Sequence, residues 1–189
     1  MAGSSLDGAV EELLEEVDDS NELTGRLVPR SLAHAHGLVH RTVYVILTNA
    51  AGDALVLQQR HGHKAVCPLL WDLTCAEHVA PGETYEQAAA RGLREELGLL
   101  DGVELRELLP PTERVLQWTT VSGKHILDVE FVPVLTGTLP LSHAMVPDGV
   151  EVAAWRWQSW EGLVGEAQSR PEAFTPWLLD TLRLLGRLT

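Results

Sequence analysis

Glu83, Arg91, Glu95 and Glu96 fall within one short stretch, Glu77–Leu99, at offsets that a helix converts into chemistry. A helix repeats about every 3.6 residues. Arg91 and Glu95 are therefore one turn apart, and Gly92, Glu95 and Glu96 share a face. Adjacent carboxylates near a further acidic group suit a hard cation such as Mg²⁺, which takes oxygen ligands and commonly holds substrate phosphates as well. An amphipathic surface helix with solvated Glu–Arg pairs is the bland alternative. Here Gly82 precedes the helix and Gly98 follows it.

The stretch resembles the Nudix box, G-x5-E-x7-R-E-U-x-E-E-x-G-U, where U is a bulky aliphatic residue. Glu83, Arg91, Leu93, Glu95, Glu96, Gly98 and Leu99 fall on the pattern. Two positions depart from it. Glu77 stands where the first glycine is expected, and Gly92 stands where a glutamate follows the arginine. The resemblance extends over about Val17–Leu185. Within the superfamily it is to isopentenyl-diphosphate isomerase and the hydrolases similar to it. It is carried by Arg30-Ser-Leu-Ala-His34, Gly37-Leu-Val-His-Arg41, Leu57-Gln-Gln-Arg60 with Lys64, Trp71, the segment before His78, and Phe174-Thr-Pro-Trp177. It implies an α+β fold, the Nudix α/β/α sandwich with a mixed sheet. Residues 1–12 are then a loose tail, and residues 13–189 a single Nudix domain that closes with C-terminal helices.

The resemblance also implies site residues. His34, His40 and His78 fall at or within one residue of the family's metal histidines. Asp128 and Glu130 fall on its acidic pair, and Glu96 on a box glutamate that contacts metal. Residues two apart on a strand share a face, so Asp128 and Glu130 can aim at one site. Glu130 lies among apolar neighbours, where an unpaired carboxylate is costly. His34 on a connector reads as a solvated side chain unless the family pattern holds. The expected metal set is Glu95, Glu96, Glu130, Asp128, His40 and His78, with Glu95, Glu96 and Glu130 also catalytic. Mg²⁺ is the expected ion, with Mn²⁺ as its substitute. A second site at the histidines suits a transition metal or zinc, because imidazole prefers softer cations. Arg60 and Lys64 are candidate clamps for a diphosphate. Arg91 is expected to pair with Glu83 and fix the box loop. Trp71 and Trp177 are either core aromatics or a cover for an apolar tail.

Three readings follow. The leading one is a divalent-metal-dependent hydrolase of a diphosphate linkage in a small phosphorylated metabolite, with Glu95 and Glu96 on an exposed helix face. The second is isopentenyl-diphosphate Delta-isomerase. In those enzymes a cysteine stands two residues before the box histidine, and here that position is Ala76. Cys75 is one residue away, and a one-residue shift on an extended segment turns a side chain to the other face. The third is a catalytically weak module that binds a phosphorylated ligand. Gly92 bears on the first reading, because a carboxylate there could serve as base or ligand. Restoring it is expected to raise hydrolysis if the missing group is limiting.

Several elements must position these residues. His40–Thr48 is β-branched and apolar and reads as a central strand. Ala54–Gln59 returns as its partner across the turn Asn49–Asp53. Leu13–Gly25 reads as a hairpin around Asp18–Asn21. Thr84–Leu97 is the main helix, capped by Gly98. Glu104–Leu109, Arg114–Val121, His125–Leu135 and Glu151–Gln158 read as strands, and Trp160–Ala167 and Pro171–Leu185 as helices.

Bulk properties narrow the partners. The net charge is −13, with lysine only at positions 64 and 124. Such a surface repels nucleic-acid backbones, so the expected partner is a small diphosphate and no nucleic-acid polymer. Cys67 and Cys75 have no metal or CxxC spacing and read as reduced thiols. There is no long apolar run and no basic leader, which reads as a cytoplasmic protein, monomer or homodimer, with no membrane partner.

Overall fold

In the computed structural model, which describes residues 11–99, 103–120 and 122–189, the β-branched run His40–Thr48 forms a nine-residue strand, β3. It is central. It runs parallel to β8 (His125–Thr138) and antiparallel to β6 (Cys75–His78). Among the described residues, seven strands form one mixed sheet. Its other members are β4 (Ala54–Arg60), β5 (Trp71–Asp72), β7 (Arg106–Thr119) and β9 (Val152–Ser159). The expected pairing of β3 with β4 is confined to Thr48 and Leu55. β4 instead pairs along its length with β9.

The alternation of side chains along β3 makes the sandwich. Val43, Val45 and Leu47 pack under α2 (Tyr85–Leu97), with Ala88, Ala89, Leu93 and Leu97. Tyr44 and Ile46 face the other way, toward α3 (Trp160–Ser169) and α4 (Pro176–Leu184). Successive strand residues point to opposite faces, so one strand serves two cores. The result is the expected α+β sandwich of helices on both faces of a mixed sheet.

Helix α2 is set by its ends. The Thr84 side chain accepts from the Gln87 amide, and the Gln87 side chain accepts from the Thr84 amide. Gly98 ends the helix in the left-handed conformation. Reciprocal caps of this kind satisfy two otherwise unpaired donors. The box loop before the helix is tied by Arg91. Its Nε and Nη2 each lie 2.9 Å from a Glu83 carboxylate oxygen, and Nη2 also donates to the His78 carbonyl at 2.9 Å.

The hairpin formed as expected, with β1 (Leu13–Val17) and β2 (Leu23–Pro29) paired antiparallel. Three expectations change. Arg30–His36, taken as a connector, is a short helix, α1, that ends at left-handed Gly37. Glu104–Leu109 and Arg114–Val121 were expected as separate strands, but β7 continues through Pro110 and Pro111 with two register shifts. Prolines are tolerated because β7 is an edge strand, where the missing amide leaves no ladder bond broken. Pro171–Leu185 is not one helix. A 3₁₀ turn at Pro171–Ala173 precedes α4, whose start is set by Thr175 as cap and Pro176 in the first turn.

The tail expected over residues 1–12 lies, for residues 1–10, outside the described residues. Glu11 and Glu12 are tied down. The Glu11 carboxylate accepts from the Ser31 amide at 3.0 Å, and the Glu12 carbonyl from the Arg30 amide at 2.9 Å. Among the described residues, no helix is long and apolar enough to cross a membrane.

Candidate metal centre and substrate pocket

The face of the sheet under α3 and α4 changes character along its length. On β8, Val134 and Val132 are core, and Glu130 and Asp128 follow on the same face. On β3, Ile46 and Tyr44 are core, and Thr42 and His40 follow. His40 lies opposite Glu130 in the parallel ladder, and Thr42 lies opposite His78 on β6. Helix α1, packed on β8, adds His34.

These side chains converge. The ring centroids of His34, His40 and His78 are 5.2–5.3 Å apart. Asp128 Oδ1 lies 3.3 Å from His40 Nε2 and 3.5 Å from His34 Nε2. Glu130 Oε1 lies 3.8 Å from His40 Nε2 and 4.0 Å from His78 Nε2. One ligand atom from each of His34, His40 and His78 lies within 4.8 Å of the others, and the same is true of His40, Asp128 and Glu130.

The nitrogens are prepared for a cation. His40 Nδ1 lies 3.0 Å from the Leu38 carbonyl, which can only accept, so that nitrogen carries the proton and Nε2 presents its lone pair. His78 Nδ1 lies 3.0 Å from Glu12 Oε1, so its Nε2 is likewise turned inward. His34 Nε2, His40 Nε2 and Asp128 Oδ1 are buried and have no hydrogen-bond partner. Orphaned buried polar atoms are rare in folded proteins and call for an explanation. Burial, with the neighbouring His78, pushes the His34 pKa down to about 2 and lowers that of His40, so both rings are neutral ligands. Burial, with the adjacent Glu130, raises the pKa of Asp128. A divalent cation at this point answers all three orphaned atoms and the carboxylate repulsion. The donor set of three imidazoles and two carboxylates fits a transition metal or zinc better than an all-oxygen ion.

Glu130 is held from its far side. The Thr42 hydroxyl donates to Oε1 at 2.6 Å, and the Tyr44 hydroxyl donates to Oε2 at 3.2 Å.

The expected set of Glu95, Glu96 and Glu130 does not form one cluster with the histidines. Glu130 is on the β8 face that packs on α3 and α4, whereas Glu95 and Glu96 are on α2, and the Glu77 and Glu151 carboxylates beside Glu96 line the same pocket as Glu130. Glu95 is 56 % exposed and pairs with Arg91 at 3.6 Å. Glu96 was expected on an exposed face, but it is buried, and its Oε2 has no hydrogen-bond partner. Burial first, then the Glu77 and Glu151 carboxylates, push its pKa up to about 8. Neither Glu95 nor Glu96 joins the metal-capable groups found among the described residues. The helical offset placed both on one side of α2. It could not say on which face of the sheet that side would lie.

Gly92 has a structural reason. A Cβ there would lie 2.6 Å from Cys75 Sγ and 3.2 Å from Glu77 Cβ and Oε2. The helix crosses β6 so closely that Cys75 and Glu77 must shift to admit a side chain. A glutamate restored at this position therefore has to displace them before any gain in hydrolysis can appear. Cys75 itself is fully buried under α2, while its neighbour Ala76 lines the pocket on the other face.

A pocket of about 140 Å³ joins the two regions. His78, Asp128 and Glu130 line it, and so do Glu77 and Glu151. Arg60, Lys64 and Arg30 are its cations, and Tyr44, Trp118 and Trp177 its aromatic wall. Lys64 Nζ lies 2.5 Å from Glu151 Oε2. Arg60 lies 5.1 Å over the Trp177 ring and 3.3 Å from Asp72, which also accepts from the Trp177 Nε1 at 2.6 Å and the Thr175 hydroxyl at 2.9 Å. Buried Asp72 therefore fixes both Trp177 and Arg60. No local pattern announces this, because Asp72 meets Thr175 and Trp177 only through the fold.

A family model described as the NUDIX domain matches residues 38–178, well over half of the chain. This protein is a member of the Nudix family. Within it the chain lies in the isopentenyl-diphosphate isomerase-like branch. It is similar to a Nocardia farcinica protein named isopentenyl-diphosphate Delta-isomerase, 38% identical over 172 residues that cover 90% of this chain and 93% of the relative. A protein of the same name from Cereibacter sphaeroides is 35% identical over 171 residues, 87% of this chain and 92% of the relative. The fold of this Nudix protein is also that of DR0079 from Deinococcus radiodurans, with TM-score 0.71 at 23% identity over 92% of this chain and 98% of the other. A MutT protein from Methanosarcina mazei superposes with TM-score 0.59 at 19% identity, over 79% and 94% of the two chains.

Proposed function

We propose that this Nudix protein is a divalent-metal-dependent hydrolase of a diphosphate that carries a small apolar organic group. The observation that carries the reading is the convergence of His34 Nε2, His40 Nε2 and Asp128 Oδ1, buried and unpartnered, on a pocket whose walls bear Arg60 and Lys64. His34, His40, His78, Asp128 and Glu130 would hold one ion, of transition-metal or zinc type. Glu96 and Glu77 are the groups for a second, harder ion, Mg²⁺ or Mn²⁺. Glu77 would share its carboxylate with Arg91, 3.3 Å away, and Glu95, mostly exposed and paired with the same guanidinium, takes neither role. When bound, such ions offset the charge of the diphosphate and polarise its phosphorus–oxygen bonds.

The chain's own residues do the rest. Arg60 and Lys64 bind the diphosphate, arginine by paired hydrogen bonds. Lys64 must exchange Glu151 for phosphate to do so. Tyr44, Trp118 and Trp177 exclude water around the organic group. Glu130, oriented by Thr42 and Tyr44, accepts the proton of the attacking water. The water oxygen bonds to phosphorus, the bond from phosphorus to the bridging oxygen breaks, and the products are a phosphate and the organic monophosphate.

The names of the 38%- and 35%-identical relatives favour a second reading, isomerisation of isopentenyl diphosphate. That reaction needs a proton donor facing the substrate carbon from the position of Ala76. Alanine carries none, and the Cys75 thiol is on the far side of the sheet. One experiment separates the readings. The protein is incubated with isopentenyl diphosphate and a panel of other small diphosphates, with Mg²⁺, Mn²⁺ or Zn²⁺, in D₂O. Phosphate release supports hydrolysis. Deuterium entering the five-carbon chain without phosphate release overturns it in favour of the isomerase. Neither, with any of the three metals, leaves a module that only binds.

A further inference from the structure

The two departures from the box pattern, Glu77 for glycine and Gly92 for glutamate, meet in space. Glu77 pairs with Val43 in the β3–β6 ladder, and Val43 packs under α2. Cross-strand partners share a face, so the Glu77 side chain leaves β6 on the side of α2 and reaches the helix at Gly92. Its Oε2 lies 3.2 Å from the place that a Cβ on Gly92 would take. A glutamate's carboxylate oxygens stand three bonds beyond its own Cβ, roughly 3 Å away. Glu77 thus holds an oxygen at the reach that a glutamate at position 92 would have. Its Cβ, also 3.2 Å from the same point, takes room that such a side chain would need, and Cys75 Sγ at 2.6 Å takes the rest.

The neighbours suit a carboxylate here. Arg91 Nη1 lies 3.3 Å from Glu77 Oε1. Glu96 is one helical turn beyond Gly92 and therefore on the same side of α2. It is 5% exposed, and its Oε2 is buried with no hydrogen-bond partner. Glu77 and Glu151 are the carboxylates beside it, and both line the pocket. An orphaned carboxylate oxygen among further carboxylates is a donor set for a hard cation.

We infer that the two departures are a single exchange: Glu77 supplies from β6 the carboxylate that the box pattern places on α2 at position 92, and stands beside Glu96 as a ligand group for a hard divalent ion. The assignment rests on the proposed second ion at Glu96 and Glu77. Glycine at position 92 then removes no carboxylate from the site.

The test is Mn²⁺ binding followed by electron paramagnetic resonance, on metal-stripped protein first given one equivalent of Zn²⁺ to occupy the histidine cluster. Glu77→Gln keeps the side-chain length and an acceptor for Arg91, so a purely structural partner of Arg91 would leave Mn²⁺ affinity unchanged. The expected result is a loss of about tenfold or more, the scale on which even outer partners of a metal ligand act, at a Tm close to that of the wild-type protein. The exchange is then built in a Cys75→Ala background, which removes the sulfur. There Glu77→Gly should weaken Mn²⁺ binding, and adding Gly92→Glu to it should restore about tenfold or more. Unchanged affinity in Glu77→Gln overturns the inference and leaves the diphosphate reading standing. So does an absence of recovery on adding Gly92→Glu, or an exchanged protein that fails to fold where Cys75→Ala with Glu77→Gly folds. If neither Cys75→Ala variant folds, Glu77→Gln decides by itself. If Zn²⁺-loaded wild-type protein takes up no Mn²⁺, the second ion falls and takes this inference with it.

Discussion

Replacing Gly92 with glutamate supplies the carboxylate that the box pattern places there, at the expense of moving the Cys75 and Glu77 side chains. A Cβ at this position would lie 2.6 Å from Cys75 Sγ and 3.2 Å from two atoms of Glu77. Overpacking of a close-packed interior costs about 1–3 kcal/mol. Removing a glycine from a helix interior returns up to about 1 kcal/mol. Gly92→Ala should therefore destabilise by about 0–2 kcal/mol. Gly92→Glu adds a carboxylate beside Glu77 and beside Glu96, whose pKa is already pushed up to about 8. A charged group left without a partner there adds about 1–3 kcal/mol, for a total near 3 kcal/mol. At about 2–4 °C per kcal/mol for a chain of this length, Tm should fall by roughly 6–12 °C. The clash is with one sulfur atom, so Cys75→Ala should relieve it. A double-mutant cycle of Gly92→Ala and Cys75→Ala should show a favourable coupling of about 0.5–3 kcal/mol. The assay is urea and thermal unfolding of the four proteins of the cycle and of Gly92→Glu, with phosphate release measured on each. A Gly92→Glu protein that melts within about 2 °C of wild type, or a cycle with no coupling, would show that the α2–β6 approach does not exclude a side chain.

If the cluster binds a divalent ion, Mn²⁺ or Zn²⁺ at a hundredfold excess over Kd should add about 2.7 kcal/mol of stability. Thermal scans of metal-stripped protein read this as a rise in Tm that His40→Ala and Asp128→Asn reduce, and a flat response in wild-type protein would remove the metal from the site. Asp72→Asn breaks a buried carboxylate that Arg60, Thr175 and Trp177 share; it should cost about 3–5 kcal/mol in urea unfolding, and a loss below 1 kcal/mol would refute its role as the anchor of α4. Arg91→Met should cost about 2–3 kcal/mol through its paired bonds to Glu83. The Arg91 guanidinium holds the Glu83 pKa below its ordinary value of 4.5. A depressed folded-state pKa stabilises above that ordinary value, and the contribution is lost as pH falls through the folded-state one. The difference between wild type and Arg91→Met should thus be full at pH 6–7 and shrink below about pH 4; a difference independent of pH would contradict the pairing.

Local order along the chain determined much of this protein. The β-branched run His40–Thr48 is a strand because of its residue types, and Thr84–Leu97 is a helix because of its propensity and caps. The offset between Asp128 and Glu130 alone put them on one strand face. The alternation at Cys75-Ala76 alone put the thiol and the methyl group on opposite sides. Each of these follows from a period of two or of 3.6 residues, which a sequence carries in full. Tertiary structure decided which faces meet. Glu95, Glu96 and Glu130 look alike as acidic residues with motif spacing, yet Glu95 is mostly exposed, Glu96 is buried beside Glu77 and Glu151, and Glu130 stands with the histidines across the pocket those two residues line. His34 joins His40 only because α1 packs on β8. Gly92 is a glycine because β6 passes beneath it, and Asp72 matters because α4 returns to it from about a hundred residues away. Contacts between distant segments depend on how elements dock, and no local period encodes that.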